Sequence, residues 1–291
     1  MSDSGAQPKP AVPRLTPKRI EQILVATDFS AGAHSAIERA IRLAARLGAR
    51  LSVVHVLPIG ASAEAVGIAK SLLNRYAYEL RAQVLTSVAT GSAGVEISAE
   101  AQRRNVDLIV VGAHGGHWLR DVFVGSTVET VLEVSAVPVL IVKDAAVPPY
   151  ARVLLAVDNS LRSFRAAQAG IDMTPGAHHI VAHAVTVPGE GLLRLSGAVD
   201  SDVQGFRSVQ LAEAQPAIKR LAGELVPPAD EVLVESGRPE VRIREFAEDH
   251  LVNLVVAGTE RGTGIRHTLL GSVSRSTMQR VSCDVLIVPL S

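Results

Sequence analysis

The chain repeats itself, and that constrains its fold more than any other feature. ILVATDFS (Ile23 to Ser30) is answered by VLLAVDNS (Val153 to Ser160), and LSVVHV (Leu51 to Val56) by IVAHAV (Ile180 to Val185). DLIVVGAH (Asp107 to His114) is answered by NLVVAGTE (Asn253 to Glu260), and GSTVETVLEVSAVPVLIV (Gly125 to Val142) by GSVSRSTMQRVSCDVLIV (Gly271 to Val288). Blocks recurring in one order describe two copies of one folding unit. Asp28 and Asp158 are 130 residues apart, but Gly112 and Gly258, like Gly125 and Gly271, are 146 apart, so the second copy is longer inside. The growth follows His183, around Thr186 to Phe206, whose glycines and mixed polarity predict a loop or lid before the next helix. KDAAVPPY (Lys143 to Tyr150) carries two prolines and reads as a short stiff linker. The expected organisation is therefore a flexible Pro-, Ser- and Gly-containing tail at 1–18, a first unit at 19–143, a linker at 144–150 and a second unit at 151–291.

Within each unit, runs such as ILVA, LSVV, DLIVV and PVLIV are short, continuous and rich in β-branched residues, as expected for strands buried on both faces of a parallel sheet. Ser30 is a good N-cap for a helix with Ile37, Ile41, Ala44 and Leu47 on one face and Gly48 as its stop. A second helix is predicted over roughly Ala63 to Leu85, with Ala69, Leu72, Leu73, Tyr76, Leu80 and Val84 as its apolar stripe. Others are predicted at about Val95 to Arg104 and Ser126 to Ser135. Strands alternating with helices predict an α/β fold: two tandem open doubly wound domains, each with a five-stranded parallel sheet. In such sheets ligands sit beyond the carboxyl ends of the strands.

The segment placed there in the first copy is GAHGGHWLRDVFVGST, with Gly112, Gly115, Gly125 and Ser126 at the spacing G-x2-G-x9-G-S. Glycines let backbone approach an anion, and a helix opening at Ser126 offers unpaired N–H groups and the positive end of its dipole to phosphate. Each residue also has a plain structural reading: the glycines make turns, Ser126 caps its helix and Asp28 stabilises a first turn. The second copy reads GTERGTGIRHTLLGSV, keeping Gly258, Gly271 and Ser272 but placing Arg261 where the second glycine stands in the first. An arginine there either blocks the site or turns its fork on a phosphate.

Taken together, the ATDFS and VVHV strand ends, the glycine loop and the closing PVLIV resemble the universal stress proteins over nearly the whole chain. The resemblance implies a Rossmann-like sheet and ATP, with or without Mg, as the ligand of members with this loop. On that resemblance Ala26 lines the base pocket, Asp28 and Val56 flank adenine and ribose, Val111 and Gly112 the sugar, and Gly115, Gly125, Ser126 and Thr127 the phosphates. Asp158, Gly258, Arg261, Gly271, Ser272 and Val273 form a weaker second site, with Ala184 in place of Val56. The family also implies edge pairing through the final strands, as a homodimer or between the two domains of one chain.

Other signals compete. His114 to His117 spell H-x-G-H, the tetrapeptide of certain nucleotidyl-transfer enzymes, though here it would follow the fourth strand rather than the first. The two histidines lack a nearby third metal ligand, and Trp118 and Phe123 read as core or lid. No Ser-His-Asp order or catalytic carboxylate pair stands out, so at most slow ATP hydrolysis is expected. Lys plus Arg equals Asp plus Glu at 29 each, giving no general basic charge for nucleic acid. No apolar stretch reaches a bilayer-spanning length, no hydrophobic signal region opens the sequence, and the lone Cys283 reads as a buried thiol in a reducing compartment. The expectation is a cytoplasmic stress-response protein that binds ATP chiefly in its first domain. The alternatives are a dimerisation or assembly module without nucleotide and, ranked below it, a nucleotidyl-transfer enzyme using His114 and His117.

Overall fold

The computed structural model describes residues 16–79, 84–113, 125–143, 148–186, 200–261 and 268–290. In the first copy β1 (Gln22–Thr27), α1 (Ala31–Leu47), β2 (Arg50–Leu57), α2 (Ala63–Glu79), β3 (Val84–Thr90), α3 (Ala93–Arg103), β4 (Leu108–Gly112), α4 (Ser126–Val134) and β5 (Val139–Val142) alternate. The second copy runs β6 (Arg152–Ala156), α5 (Leu161–Met173), β7 (His178–Val185), α6 (Asp200–Gly223), β8 (Glu231–Ser236), α7 (Pro239–Asp249), β9 (Leu254–Arg261), β10 (Thr268–Leu269), α8 (Ser272–Arg280) and β11 (Asp284–Leu290).

The strand order β3-β2-β1-β4-β5-β11-β9-β6-β7-β8 makes one sheet of the two repeats. The five long strands of each copy are parallel, as the unbroken β-branched runs predict, with the short β10 adding an antiparallel pair on β9. The copies meet where β5 and β11 pair antiparallel, Leu140 opposite Leu286. The final strands thus pair within the chain. Successive strand residues point to opposite faces, so Ile23 and Val25 join one core with α1 and α5, while Leu24 joins the other with α3 and α4. Both cores continue across the β5–β11 seam.

Local signals set the helix ends. Ser30 accepts from the Ala33 amide and Gly48 closes α1 at φ 66, while Ser160 accepts from the Ser163 amide in the second copy. Two expectations need correcting. The helix predicted to Leu85 does not reach that far: α2 is described to Glu79, residues 80–83, with Leu80 among them, lie outside the described residues, and Val84 opens β3. Val84, Leu85 and Val88 continue the apolar spacing of α2, so the stripe hid the change of period, and at 37% exposure Leu72 lies largely outside the core. The loop predicted from Thr186 to Phe206 does not extend to Phe206, because Asp200 to Phe206 is helix in α6; residues 187–199 lie outside the described residues.

The seam is closed by a buried polar cluster. Asp284, at the start of β11, is 0% exposed. It accepts from the Lys143 amide at 2.8 Å and from the Tyr150 hydroxyl at 2.6 Å. Arg39 of α1, also buried, brings Nε to 3.2 Å of Asp284 Oδ2 and lays its guanidinium over the Tyr150 ring at 4.2 Å. That Nε lacks hydrogen-bond alignment, so the contact is ionic. Arg39 also donates to the Pro148 carbonyl. Tyr150, expected as linker, is thus part of the interior. Burial lowers the pKa of Lys143 to about 8, against the pull of Cys283 and Asp284, and raises the Cys283 thiol to about 12. Cys283 is therefore an inert thiol at neutral pH.

The repeat offsets place Ala169 and Pro138 where a symmetric chain would have a second Arg–Asp pair. These two residues instead line a void of about 50 Å³ with Lys18 and Asp172. Lys18, expected in the flexible tail, donates its amide to Asp172 and pairs its Nζ with Asp107 at 3.0 Å.

Replacing Asp284 with Ala leaves Arg39 buried without its counter-charge, so chemical denaturation should show a loss of about 3–5 kcal/mol. Arg39→Met combined with Asp284→Ala should cost less than the sum of the two single changes; a single-variant loss under about 1 kcal/mol contradicts this. The lowered Lys143 pKa means the unfolded chain binds more protons between about pH 8 and its unfolded value near 10.4. This group therefore makes stability rise with pH across that window, and the rise should flatten in Lys143→Met.

Candidate functional site

The sheet order reverses beside β1, which has β2 on one side and β4 on the other, and again beside β6, between β7 and β9. Beyond the carboxyl ends of β1 and β4 lies a cavity of about 390 Å³. It gathers Ala26, Asp28, Val56, Val111, Gly112, Gly125, Ser126 and Thr127 from four separate stretches of chain. Of the expected first-copy site, Gly115 alone lies outside the described residues, as do His114, His117, Trp118 and Phe123.

The walls divide by chemistry. Val54, Val56, Val111 and Ile97 make an apolar floor, while Asp28 and the start of α4 supply polar groups at the rim. Asp28 Oδ1 accepts from the Ser30 amide at 2.9 Å, forming a tight turn that leads into α1. Phe29 within that turn has φ 65, and its ring lies 4.7 Å from that of His55. His55 Nδ1 donates to the Thr27 carbonyl at 2.7 Å and His183 Nδ1 to the Val157 carbonyl at 2.8 Å. The histidines repeated between the copies thus brace the ends of the central strands.

Gly125 is the N-cap of α4 and no side chain caps the helix. The first-turn amides therefore face the cavity rim without a side-chain acceptor, an arrangement suited to an anion. Gly112 has a different reason to be glycine: a Cβ there would stand 2.7 Å from the Gly32 carbonyl oxygen. Its bare backbone admits the first turn of α1 against β4, so it shapes the cavity wall.

The second copy has a related but smaller cavity, about 150 Å³, that includes Asp158, Gly258 and Val273 together with Arg162, Ser163, His183, Ala184 and Ile243. Gly271 and Ser272 are not part of it; Gly271 caps α8, and Ser272 donates its hydroxyl to Glu240 Oε1 at 3.2 Å. Arg261 ends β9 with its backbone in a short antiparallel ladder, opposite Thr268 of β10. Burial alone would raise the Asp158 carboxyl, but hydrogen bonds from Ser160 and Ser163 outweigh it and hold the pKa below the usual value.

Sequence reasoning missed Thr27, Ala33, Val54, Ala93, Ile97, Ala113 and Val128 on the first cavity, and Arg162 on the second. The repeat held a usable signal. Ile97 and Ile243 occupy matching positions on α3 and α7, and Arg162 and Pro239 replace Gly32 and Ala93. Those bulkier replacements help explain the smaller second cavity, even though Val54 and Val56 give way to Ala182 and Ala184. Among the described residues no group of three or more His, Cys, Asp or Glu is placed to hold a metal ion, and no helix is long and apolar enough to cross a membrane.

Comparison with known proteins places this geometry. A universal stress protein A homolog of Coxiella burnetii is 32% identical over 139 residues, covering 42% of this chain and 95% of that protein. A universal stress protein of Methanocaldococcus jannaschii is 37% identical over 76 residues, which is 26% of this chain and 44% of the relative. The crystal structure of a universal stress protein from Archaeoglobus fulgidus superposes with a TM-score of 0.67 at 23% identity, covering 92% of this chain and 98% of that one, so the tandem fold is shared. The profile described as the Universal stress protein family matches residues 19–143 and again 149–289. With both repeats matched, the chain belongs to the universal stress protein family.

Proposed function

We propose that this chain is a cytoplasmic stress-response protein that binds ATP in its first domain and uses the bound nucleotide to set conformation or partner choice. One observation carries the reading: a single cavity of about 390 Å³ at the sheet's switch point collects the apolar floor, Asp28 and the uncapped start of α4. Its size lies within the range of roughly 300–1,000 Å³ common for ligand sites, and the 150 Å³ second cavity falls below it.

The residues present fit the nucleotide. Ala26, Val56 and Val111 would hold the base by apolar contact, and Asp28 would accept from sugar hydroxyls. Gly125, Ser126 and Thr127 would meet phosphate oxygens with backbone amides and two hydroxyls. Each hydrogen bond to a charged oxygen contributes about 1.5–3 kcal/mol, and the helix dipole roughly 0.3–1 kcal/mol more. Mg would accompany the phosphates as part of the ligand. Among the described residues lining the first cavity no nucleophile–base pair stands out, and on this reading the nucleotide acts as a bound signal. The alternative of a homodimer joined through the final strands is less favoured, because β5 and β11 already pair with each other.

Calorimetric titration of the full chain with ATP should give one site per chain. Asp28→Ala should weaken it at least tenfold, and Ala26→Phe, which fills the floor, should abolish it. Asp158→Ala should leave it within twofold. No heat at millimolar ATP, or two equivalent sites, would sink this assignment.

A further inference from the structure

The two copies act as internal controls for one another, and they differ sharply in one place outside both cavities. Between α7 and α8 of the second copy lies a groove of about 280 Å³ lined by Arg238, Arg275, Arg280, Glu240, Ser272 and Ser276, among others. It shares no lining residue with the second cavity.

At the matching positions of the first copy stand Ser92 for Arg238, Gly94 for Glu240, Glu129 for Arg275, Glu133 for Gln279 and Val134 for Arg280. Two carboxylates on one copy thus answer three guanidiniums and one carboxylate on the other. The same helix pair forms with either set, so packing does not demand the arginines. Nor are they absorbed by ion pairs. Arg238 Nε is 3.9 Å from Glu240 Oε2 with the arginine 80% exposed, and Arg275 reaches Glu129 across the copy boundary only at 3.8 Å. Arg280 makes no ion pair among the described residues. Exposed pairs at such separations contribute little.

One part of the groove lies at the amino-terminal ends of two helices, and the lining continues along α8 to its last residue, Arg280. Arg238 is the N-cap of α7 and Gly271 that of α8, and neither helix has a side-chain cap. Ser276 has its hydroxyl oxygen buried without a hydrogen-bond partner among the described residues. Three guanidinium forks, two helix amino ends and a serine hydroxyl are donors of the kind that recognise phosphate. Glu240 within the groove and Glu129 across the copy boundary offset part of this charge and leave the groove net positive.

We propose that the α7–α8 groove of the second domain is a separate binding site for a compact phosphoryl anion, free or as the phosphate end of a larger molecule. The site does not depend on nucleotide in the first cavity, and its test separates the two. Pyrophosphate would be titrated into the full chain at physiological salt and followed by phosphorus NMR. The variants are Arg275→Gln with Arg280→Val, which removes two guanidiniums without setting a carboxylate against Glu129, and Ser126→Glu, which sets a carboxylate at the start of α4. Pyrophosphate should bind the native chain, weaken at least tenfold in the arginine variant and stay within twofold in Ser126→Glu. AMP binding that depends on the same arginines would identify a phosphate ester as the source, whereas pyrophosphate binding alone would identify the free anion. No pyrophosphate binding at millimolar concentration, binding indifferent to the arginines, or tighter binding of a poly-glutamate peptide would overturn the proposal.

Discussion

A single buried carboxylate holds the two repeats in one register. Asp284 opens β11 at the seam, and its oxygens are taken by the Lys143 amide, the Tyr150 hydroxyl and the Arg39 guanidinium. These partners come from the end of the first sheet, the connecting segment and the first helix. A charge so deeply buried is tolerable only when it is compensated this fully. Its presence therefore specifies the antiparallel β5–β11 pairing rather than a slipped one. Once that seam is set, both cores run through the whole sheet and the two switch points sit at fixed places relative to each other.

The clasp also breaks the symmetry that duplication would otherwise leave. One side of the seam carries the Arg39–Asp284 pair, and the other carries Ala169, Pro138 and the incoming segment at Lys18. The same divergence appears at the switch points, where Arg162 and Pro239 take the places of Gly32 and Ala93. A duplicated chain can keep one copy for a ligand and release the other to change, provided the strands and caps shared by both are retained. Ser30 and Ser160 as caps, and His55 and His183 as braces, are such retained parts.

Much of this was legible in the sequence, and the reasons are specific. The repeated apolar runs fixed strand identity because a strand buried on both faces has little freedom in composition. Ser30 and Gly48 marked the bounds of α1 because caps satisfy backbone groups locally. Eight residues expected at the first site meet on one cavity because each lies at the carboxyl end of a strand, directly follows one or opens a helix. What escaped depended on contacts between distant segments. Val84 and Leu85 fit the α2 stripe, and only pairing with β2 makes them strand. Tyr150 reads as linker until Asp284 is seen beside it. Gly112 reads as a ligand contact, placed by the resemblance beside the sugar, yet the backbone of Gly32 is what requires its missing side chain.

The central claim is an asymmetric pair with one nucleotide site, in the first domain. A crystal structure of the full chain grown with ATP tests it most directly. The account predicts nucleotide density in the first cavity alone, with the base against Ala26, Val56 and Val111 and the phosphates at the start of α4. Density in both cavities, or nucleotide bound only in the second, would contradict it.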